Sequence, residues 1–489
     1  MHFKGQRREL PPYYSPEVKR YVDAVTGAIG ANRAELASVL SDVPAELNEI
    51  VESLERLTGT WNPVELYTAD NMSEQKAAFI EAYKRGEEYV PTFDYADAAS
   101  FDVEAARPML AALRSRAMDV STNNDRDRLA RIALIAKIDD DLATCDIAEG
   151  MKTGSDALVK RGCWAKYPGG DAELTAFATE TFAQLLSSPP PDVPSLLNEE
   201  EKSYLKNRKM SPDEQAEAFA WALKKLGIYR DPGADGDGFQ VIKDPKATAL
   251  DVRDKSKRGA TVVIPIDRDG DMTADELCAL IEHEIGAHAR QAVNGKRLFK
   301  LGAGALRKDD ETLYEGLAIR YEWDFMEKQF GNVRHDMDLS TLYVFAVDIA
   351  EKGGTFRDVF EDQLERRIRL KWEIPVDRPV PAKEGMDEKE YNECLGKAWR
   401  TTYRVMRGHT DATNKEGFAM AKDLAYLRGW LMDRQLLEAG QGHANEAAIM
   451  SAEGLRSLAA MRFTPEDVPV KYQPIGEEYM RMLLAQRNA

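Results

Sequence analysis

His283, Glu284 and His288 are the residues of this 489-residue chain whose types and spacing best fit chemistry at a metal ion. Zinc hydrolases use neutral imidazoles as ligands, with a neighbouring carboxylate to take a proton from the attacking water. The chain has only six histidines, His2, His283, His288, His335, His409 and His443. Two of them five apart, with a glutamate directly after the first, are hard to obtain by chance. The competing reading is a surface helix that happens to carry two histidines. The helix start, the preceding strand and a later glutamate weigh against it.

The spacing makes a geometric demand. In the familiar HExxH arrangement the histidines are four apart, which leaves them about 40° apart around an α-helix. Here they are five apart, which is about 140° on regular geometry, so the two rings would not face one ion. A π-bulge inserts one residue into the turn and corrects this. Gly286 lies inside the interval and eases backbone distortion. The expectation is a bulge or kink between His283 and His288.

A third ligand should come from a following helix, and Glu315 in Glu311-Thr312-Leu313-Tyr314-Glu315-Gly316-Leu317-Ala318 fits best. Glu311 and Glu322 compete for the role. Gly316 and Ala318 are small enough to let two helices approach closely. Two histidines and a carboxylate leave a coordination position for water, the arrangement of a catalytic zinc site with one Zn2+ ion. Glu284 would then act as the base, and later as the acid that protonates the leaving amine.

The elements that must position these residues can be read from the pattern. Thr273 and Glu276 have capping-box spacing, so the histidine helix starts there. The β-branched run Ala260–Ile266 reads as a strand, as does Gly238–Ile242, and Ala247–Val252 is a further candidate. Residues 212–226 read as a helix, 273–330 as two helices with a connection, and 340–375 as a helical pair broken at Gly353-Gly354. Residues 16–185 read mainly as helix, with loops around 60–100 where Pro63 and Pro91 fall. The run from Ser187 to Pro194, with three consecutive prolines, reads as a linker. The division expected is a tail at 1–15, a helical N-terminal region at 16–190, a catalytic domain at 195–435 and a helical extension at 436–489. The aspartates Asp267, Asp269 and Asp271 invite a calcium loop, but Met272 stands where such a loop needs Gly and Cys278 where it needs Glu. Asp231, Asp235 and Asp237 fail in a similar way, and both clusters read as polar turns.

Composition narrows the classes. Hydrophobic residues at 43% and charged residues at 31% are those of a globular protein with a sizeable core. A net charge of −18 argues against nucleic-acid binding and against docking on anionic membranes. No apolar run is long enough for a signal peptide core or a membrane span. Cys145, Cys163, Cys278 and Cys394 are scattered without CxxC spacing, so neither a disulfide framework nor a cysteine zinc site is expected. A reducing, cytoplasmic setting follows as the default, and oligomeric state is left open.

At the metal-site residues the sequence resembles the microtubule-associated tyrosine carboxypeptidase family, whose bacterial members carry a QEGLA motif. The resemblance rests on His283-Glu284-Ile285-Gly286-Ala287-His288, then Asn294-Gly295, Tyr314-Glu315-Gly316-Leu317-Ala318, Arg407-Gly408 and Lys422-Asp423-Leu424-Ala425-Tyr426-Leu427-Arg428-Gly429, in the family's order across roughly residues 205–430. Tyr314 departs from the motif's Gln. The resemblance implies a helix-rich α+β fold with a zincin-like core, in which a small sheet accompanies the HExxxH and EGLA helices. It implies His283, His288 and Glu315 as zinc ligands, Glu284 as acid/base, and removal of a C-terminal aromatic residue from a peptide or protein. An exopeptidase needs a cation for the terminal carboxylate. Arg407 is the candidate, with Lys422 and Tyr426 as further pocket-wall candidates. His409 could stabilise a developing oxyanion, although it and His335 read more readily as structural or surface residues. The alternatives are another zinc hydrolase on the same scaffold, such as an endopeptidase or amidase, and an inactive peptide-binding scaffold.

Overall fold

A computed structural model describes residues 44–58, 61, 66–96, 98, 101–122, 125–167, 169–187, 194–234, 236, 238–245, 250–253, 260–266, 272–299, 308–331, 335–380, 385–409, 413, 414, 416–438 and 470–488. The N-terminal tail, most of the Pro-rich run after Ser187, Asp235, Asp237 and the aspartates at 267–271 lie outside the described residues. The chain is helix-rich with little strand. No described helix is long and apolar enough to cross a membrane.

The N-terminal part begins with α1 (Ala45–Thr58), α2 (Met72–Lys84), α3 (Val103–Asp119), α4 (Asp125–Thr153), α5 (Asp156–Lys166) and α6 (Ala172–Ser187). In α1, Leu47, Ile50 and Leu54 recur at helical spacing and bury against Leu110 and Leu113 of α3 and Ile138 of α4. The helix α2 corrects the expectation of loops around 60–100. It buries only Phe79 and Ala82, so its sequence carries almost no amphipathic stripe. Its hold on the fold is largely aromatic: Phe79 meets the rings of Phe356, Phe360 and Trp399 at 4.8–5.2 Å, and Tyr83 meets Phe360 at 5.0 Å.

The middle of the chain supplies α7 (Glu199–Asn207), β1 (Lys209–Met210), α8 (Pro212–Lys225), β2 (Gln240–Asp244), β3 (Asp251–Arg253), β4 (Thr261–Pro265) and β5 (Met272–Thr273). A capping box between Ser211 and Glu214, with Pro212 in the first turn, starts α8. The sheet order is β2-β4-β3, with β2 parallel and β3 antiparallel to β4. The central strand β4 is buried at every position, as its unbroken apolar run requires.

Next come α9 (Ala274–Leu280), a π-helix (Ile281–Ala289), α10 (Arg290–Phe299), α11 (Lys308–Phe330), α12 (His335–Glu351), α13 (Phe356–Lys371), α14 (Glu388–Val405), α15 (Leu424–Glu438) and α16 (Ile475–Asn488). The break between α12 and α13 falls at Gly353, whose φ of +87° a side chain would strain.

Two large cores hold most of the buried apolar side chains among the described residues. One joins Phe79, Phe93, Val159 and Phe182 to Phe345, Phe356, Trp399, Phe418 and Leu431, so it takes residues from both sides of the Pro-rich run. The other joins Phe219, Val262, Leu277 and Ile285 to Ile475, Tyr479 and Leu483 of α16. The four cysteines are free and buried, and burial pushes the Cys145 and Cys163 thiols up to about 12.

Candidate metal centre

The site is built from a distorted helix and the helix that crosses it. Thr273 opens α9 by donating its N–H to Glu276 Oε2 at 3.0 Å, while its hydroxyl donates to Asp275 Oδ1 at 2.6 Å. After two turns the backbone changes to i→i+5 hydrogen bonding over Ile281–Ala289. The expected distortion is therefore a whole π-helical segment rather than a single bulge. The wider turn returns a residue five positions on toward the same face. His283 and His288 consequently meet edge to face, with ring centroids 4.9 Å apart.

Glu315 on α11 faces both rings. Its Oε2 lies 3.4 Å from His288 Nε2 and 3.7 Å from His283 Nε2. One donor atom from each of the three residues falls within 4.8 Å of the other two. Those N···O distances are long for hydrogen bonds, and Glu315 Oε2 is buried with no hydrogen-bond partner. A buried carboxylate oxygen without a donor is expensive. A divalent cation shared with two imidazole nitrogens would remove that cost, so the residues fit a zinc ion bound by two nitrogens and an oxygen. Among the competitors for third ligand, Glu322 instead meets the other side of His283, with Oε2 2.7 Å from Nδ1. The side chain of Glu311 lies outside the described residues.

The electrostatics follow from burial and these contacts. Burial opposes charge on His283, but Glu315 and Glu322 outweigh it and hold the imidazole well above its usual range. Burial holds His288 below its usual range, with the charges on His283 and Lys422 acting the same way against the pull of Glu315. For Glu315 burial pushes upward, yet the two histidines keep its carboxyl well below the usual carboxylate range. Glu284, the residue after His283, is half-buried.

Neighbouring elements fix the two helices. Ala287 of the π-helix packs on Leu317, Ala318 and Tyr321 of α11. Behind the π-helix, Arg290 Nε donates to Gly286 O at 2.7 Å and Arg290 Nη2 to Tyr321 Oη at 2.9 Å. The same guanidinium lies over the rings of Tyr321 and Tyr472, which stack 4.1 Å apart. Glu282 reaches the start of α16: Oε1 accepts from the N–H of Gly476 at 2.9 Å, and Oε2 from the Tyr472 hydroxyl at 3.1 Å. Burial lifts the Glu282 carboxyl to about 7 against these hydrogen bonds. Sequence reasoning missed Glu282, Arg290 and Tyr472. For Tyr472 no local signal exists, because it lies 190 residues from the glutamate it contacts.

The pocket-wall candidates lie just after α14, in the turn before α15 and on α15 itself. Lys422 is in the short turn Ala421–Asp423 that leads into α15, and its charge is felt at His288. Tyr426 is on α15, where burial pushes its phenol well above the usual range and the Glu315 carboxylate adds to the shift. Arg407 is buried, with Nε donating to Arg404 O at 3.2 Å and Nη2 3.9 Å from Asp423 Oδ2. Asp423 is gripped by both Nε and Nη2 of Arg404, a forked pair that sequence reasoning missed although Arg404 stands one turn before Arg407. His409 is fully buried, lying flat on Phe418 at 3.8 Å with Nε2 3.2 Å from Phe418 O, which is a structural role. The side chain of His335 lies outside the described residues.

The chain matches no family model, and no curated protein matches it.

Proposed function

We propose that the chain is a zinc metallopeptidase, and specifically a carboxypeptidase that removes an aromatic residue from the C-terminus of a peptide or protein. The observation that carries the reading is the convergence of His283 Nε2, His288 Nε2 and Glu315 Oε2, with Glu284 on the same π-helix directly after His283. The zincin-like description of the core and the exopeptidase specificity both come from the resemblance of the HExxxH and EGLA segments.

Bound zinc would supply a Lewis acid that polarises the scissile carbonyl and makes water acidic near neutral pH. The chain's own residues do the rest. His283, His288 and Glu315 hold the ion. Glu284 takes a proton from the attacking water and returns it to the leaving amine. Arg407, whose guanidinium contacts the Arg404 carbonyl and approaches Asp423, and Lys422, whose charge reaches His288, are the candidate cations for a substrate's terminal carboxylate. Tyr426, close enough for Glu315 to perturb it, lines the same side.

The test uses short peptides varied at the last residue, with and without a chelator. Loss of one C-terminal aromatic residue, abolished by chelation and by amidating the peptide terminus, is the expected result. Internal cleavage of the amidated peptides would replace this reading with an endopeptidase.

A further inference from the structure

Glu322 has no part in the proposed reaction, yet it makes a 2.7 Å hydrogen bond to a ring that faces the metal site. It follows Glu315 by seven residues on α11, which is about two helical turns, so both carboxylates stand on one stripe of that helix. They engage opposite nitrogens of the same imidazole. Glu322 Oε2 meets His283 Nδ1, while Glu315 Oε2 lies on the Nε2 side. We infer that Glu322 is the positioning residue of His283, fixing the tautomer and the rotation of the ring so that Nε2 is presented to a metal ion. This rests on the metallopeptidase reading of the site.

The chemistry of the pair decides the tautomer. An ionised carboxylate can only accept, so Nδ1 carries a hydrogen, and in the neutral ring that a metal ion requires the lone pair is then on Nε2. Nε2 is also the nitrogen that approaches Glu315, 3.7 Å from its Oε2. Rotating the ring by half a turn about its bond to Cβ would exchange the two edges, break the bond to Glu322 and remove the lone pair from the cluster. The π-helix sets where the ring is attached but leaves that rotation unfixed. Glu322 supplies the missing constraint from a second element, and its side chain is only 17% exposed, so water competes poorly for the bond. A carboxylate behind a ligating histidine also raises the basicity of the nitrogen that binds the ion.

Because Glu315 and Glu322 share α11, a shift of that helix moves ligand and orienting group together. The helix is anchored for this purpose by Arg320, whose Nε lies 2.7 Å from Oδ2 of the fully buried Asp433 on α15.

The experiment compares zinc affinity of the full chain, measured by competition with a chromogenic chelator, for the unmodified protein, Glu322→Gln and Glu322→Ala. Visible spectra of the cobalt-loaded forms and melting of the metal-free forms complete the set. Glu322→Ala should weaken zinc about 10- to 100-fold and shift the cobalt bands. Glu322→Gln retains an acceptor at the same reach, so it should recover part of the affinity. If Glu322→Ala does not fold, the Gln variant still decides, because loss of the carboxylate's charge should weaken zinc measurably. Unchanged zinc affinity and cobalt bands in the variants would overturn the inference, even if the metal-free protein melts lower, since Glu322 would then be a structural partner only. Absence of zinc binding by the unmodified protein would instead overturn the metal reading itself, and this inference with it.

Discussion

Gly316 and Gly429 meet backbone to backbone: a Cβ on Gly316 would stand 2.1 Å from the Gly429 carbonyl oxygen, and one on Gly429 would stand 1.9 Å from Thr312 O. Neither separation is compatible with a side chain, so α11 and α15 approach as closely as they do only because both positions are glycine. Glu315 precedes this contact by one residue. The contact therefore sets how far the third ligand stands from the two histidines, and how near Lys422 and Tyr426 come to it.

Gly316→Ala tests that role. Forcing the helices apart should destabilise the fold by about 1–3 kcal/mol, read as a lower urea midpoint. It should also weaken zinc binding, since Glu315 moves with the helix. An unchanged midpoint with unchanged zinc affinity would show that the helices can separate freely.

The proposed division of labour at the π-helix separates binding from turnover. Glu284→Gln should keep zinc and lose peptide hydrolysis by at least about 100-fold, the scale of a removed general base. His283→Ala should lose both. Full activity in the Glu284→Gln protein would mean that another group moves the proton.

The π-helix and the C-terminal helix are coupled through Glu282. Glu282→Ala removes the acceptor for the buried Gly476 N–H and for the Tyr472 hydroxyl. A loss of about 1–3 kcal/mol is expected, with faster hydrogen exchange over residues 475–488. Glu282→Gln, which keeps an acceptor, should lose less. Equal exchange in the Ala variant and the unmodified protein would separate the two elements.

Acid stability should depend on Asp140. Burial acts to raise its carboxyl, but Lys166 and Lys137 outweigh burial and hold it below the usual aspartate range. The sign follows from linkage: the unfolded chain binds this proton at higher pH, so the stabilisation is present above the ordinary aspartate range and is lost as pH falls through the depressed value. Urea midpoints taken at pH 7 and pH 3 should therefore differ less in Asp140→Asn than in the unmodified chain. An identical pH dependence would remove Asp140 from the acid response.

What could be read from the sequence was decided by range. The π-helical distortion was legible because two histidines five apart, with Gly286 between them, conflict with regular helical geometry within one turn. The capping signal at Thr273 and the apolar run of β4 are equally local, and the elements fall close to where those signals stand. The helix α2 was not legible, because its stability comes from rings more than 270 residues away rather than from its own periodicity. At the site, Glu322 could be listed as a rival ligand, but its place behind His283 depends on how α11 crosses the π-helix. Arg407 is the candidate that the resemblance offers for a terminal carboxylate, yet its Nη2 lies 3.9 Å from Asp423 Oδ2, where the forked contact belongs to Arg404.

The most direct measurement is the zinc content of the purified chain after exhaustive dialysis, for the unmodified protein and for His288→Ala and Glu315→Ala. One zinc per chain in the unmodified protein, and almost none in either variant, is the predicted result. A chain that holds no zinc, or a Glu315→Ala variant that holds it as tightly as the unmodified protein, would contradict the convergence of these three side chains on one ion.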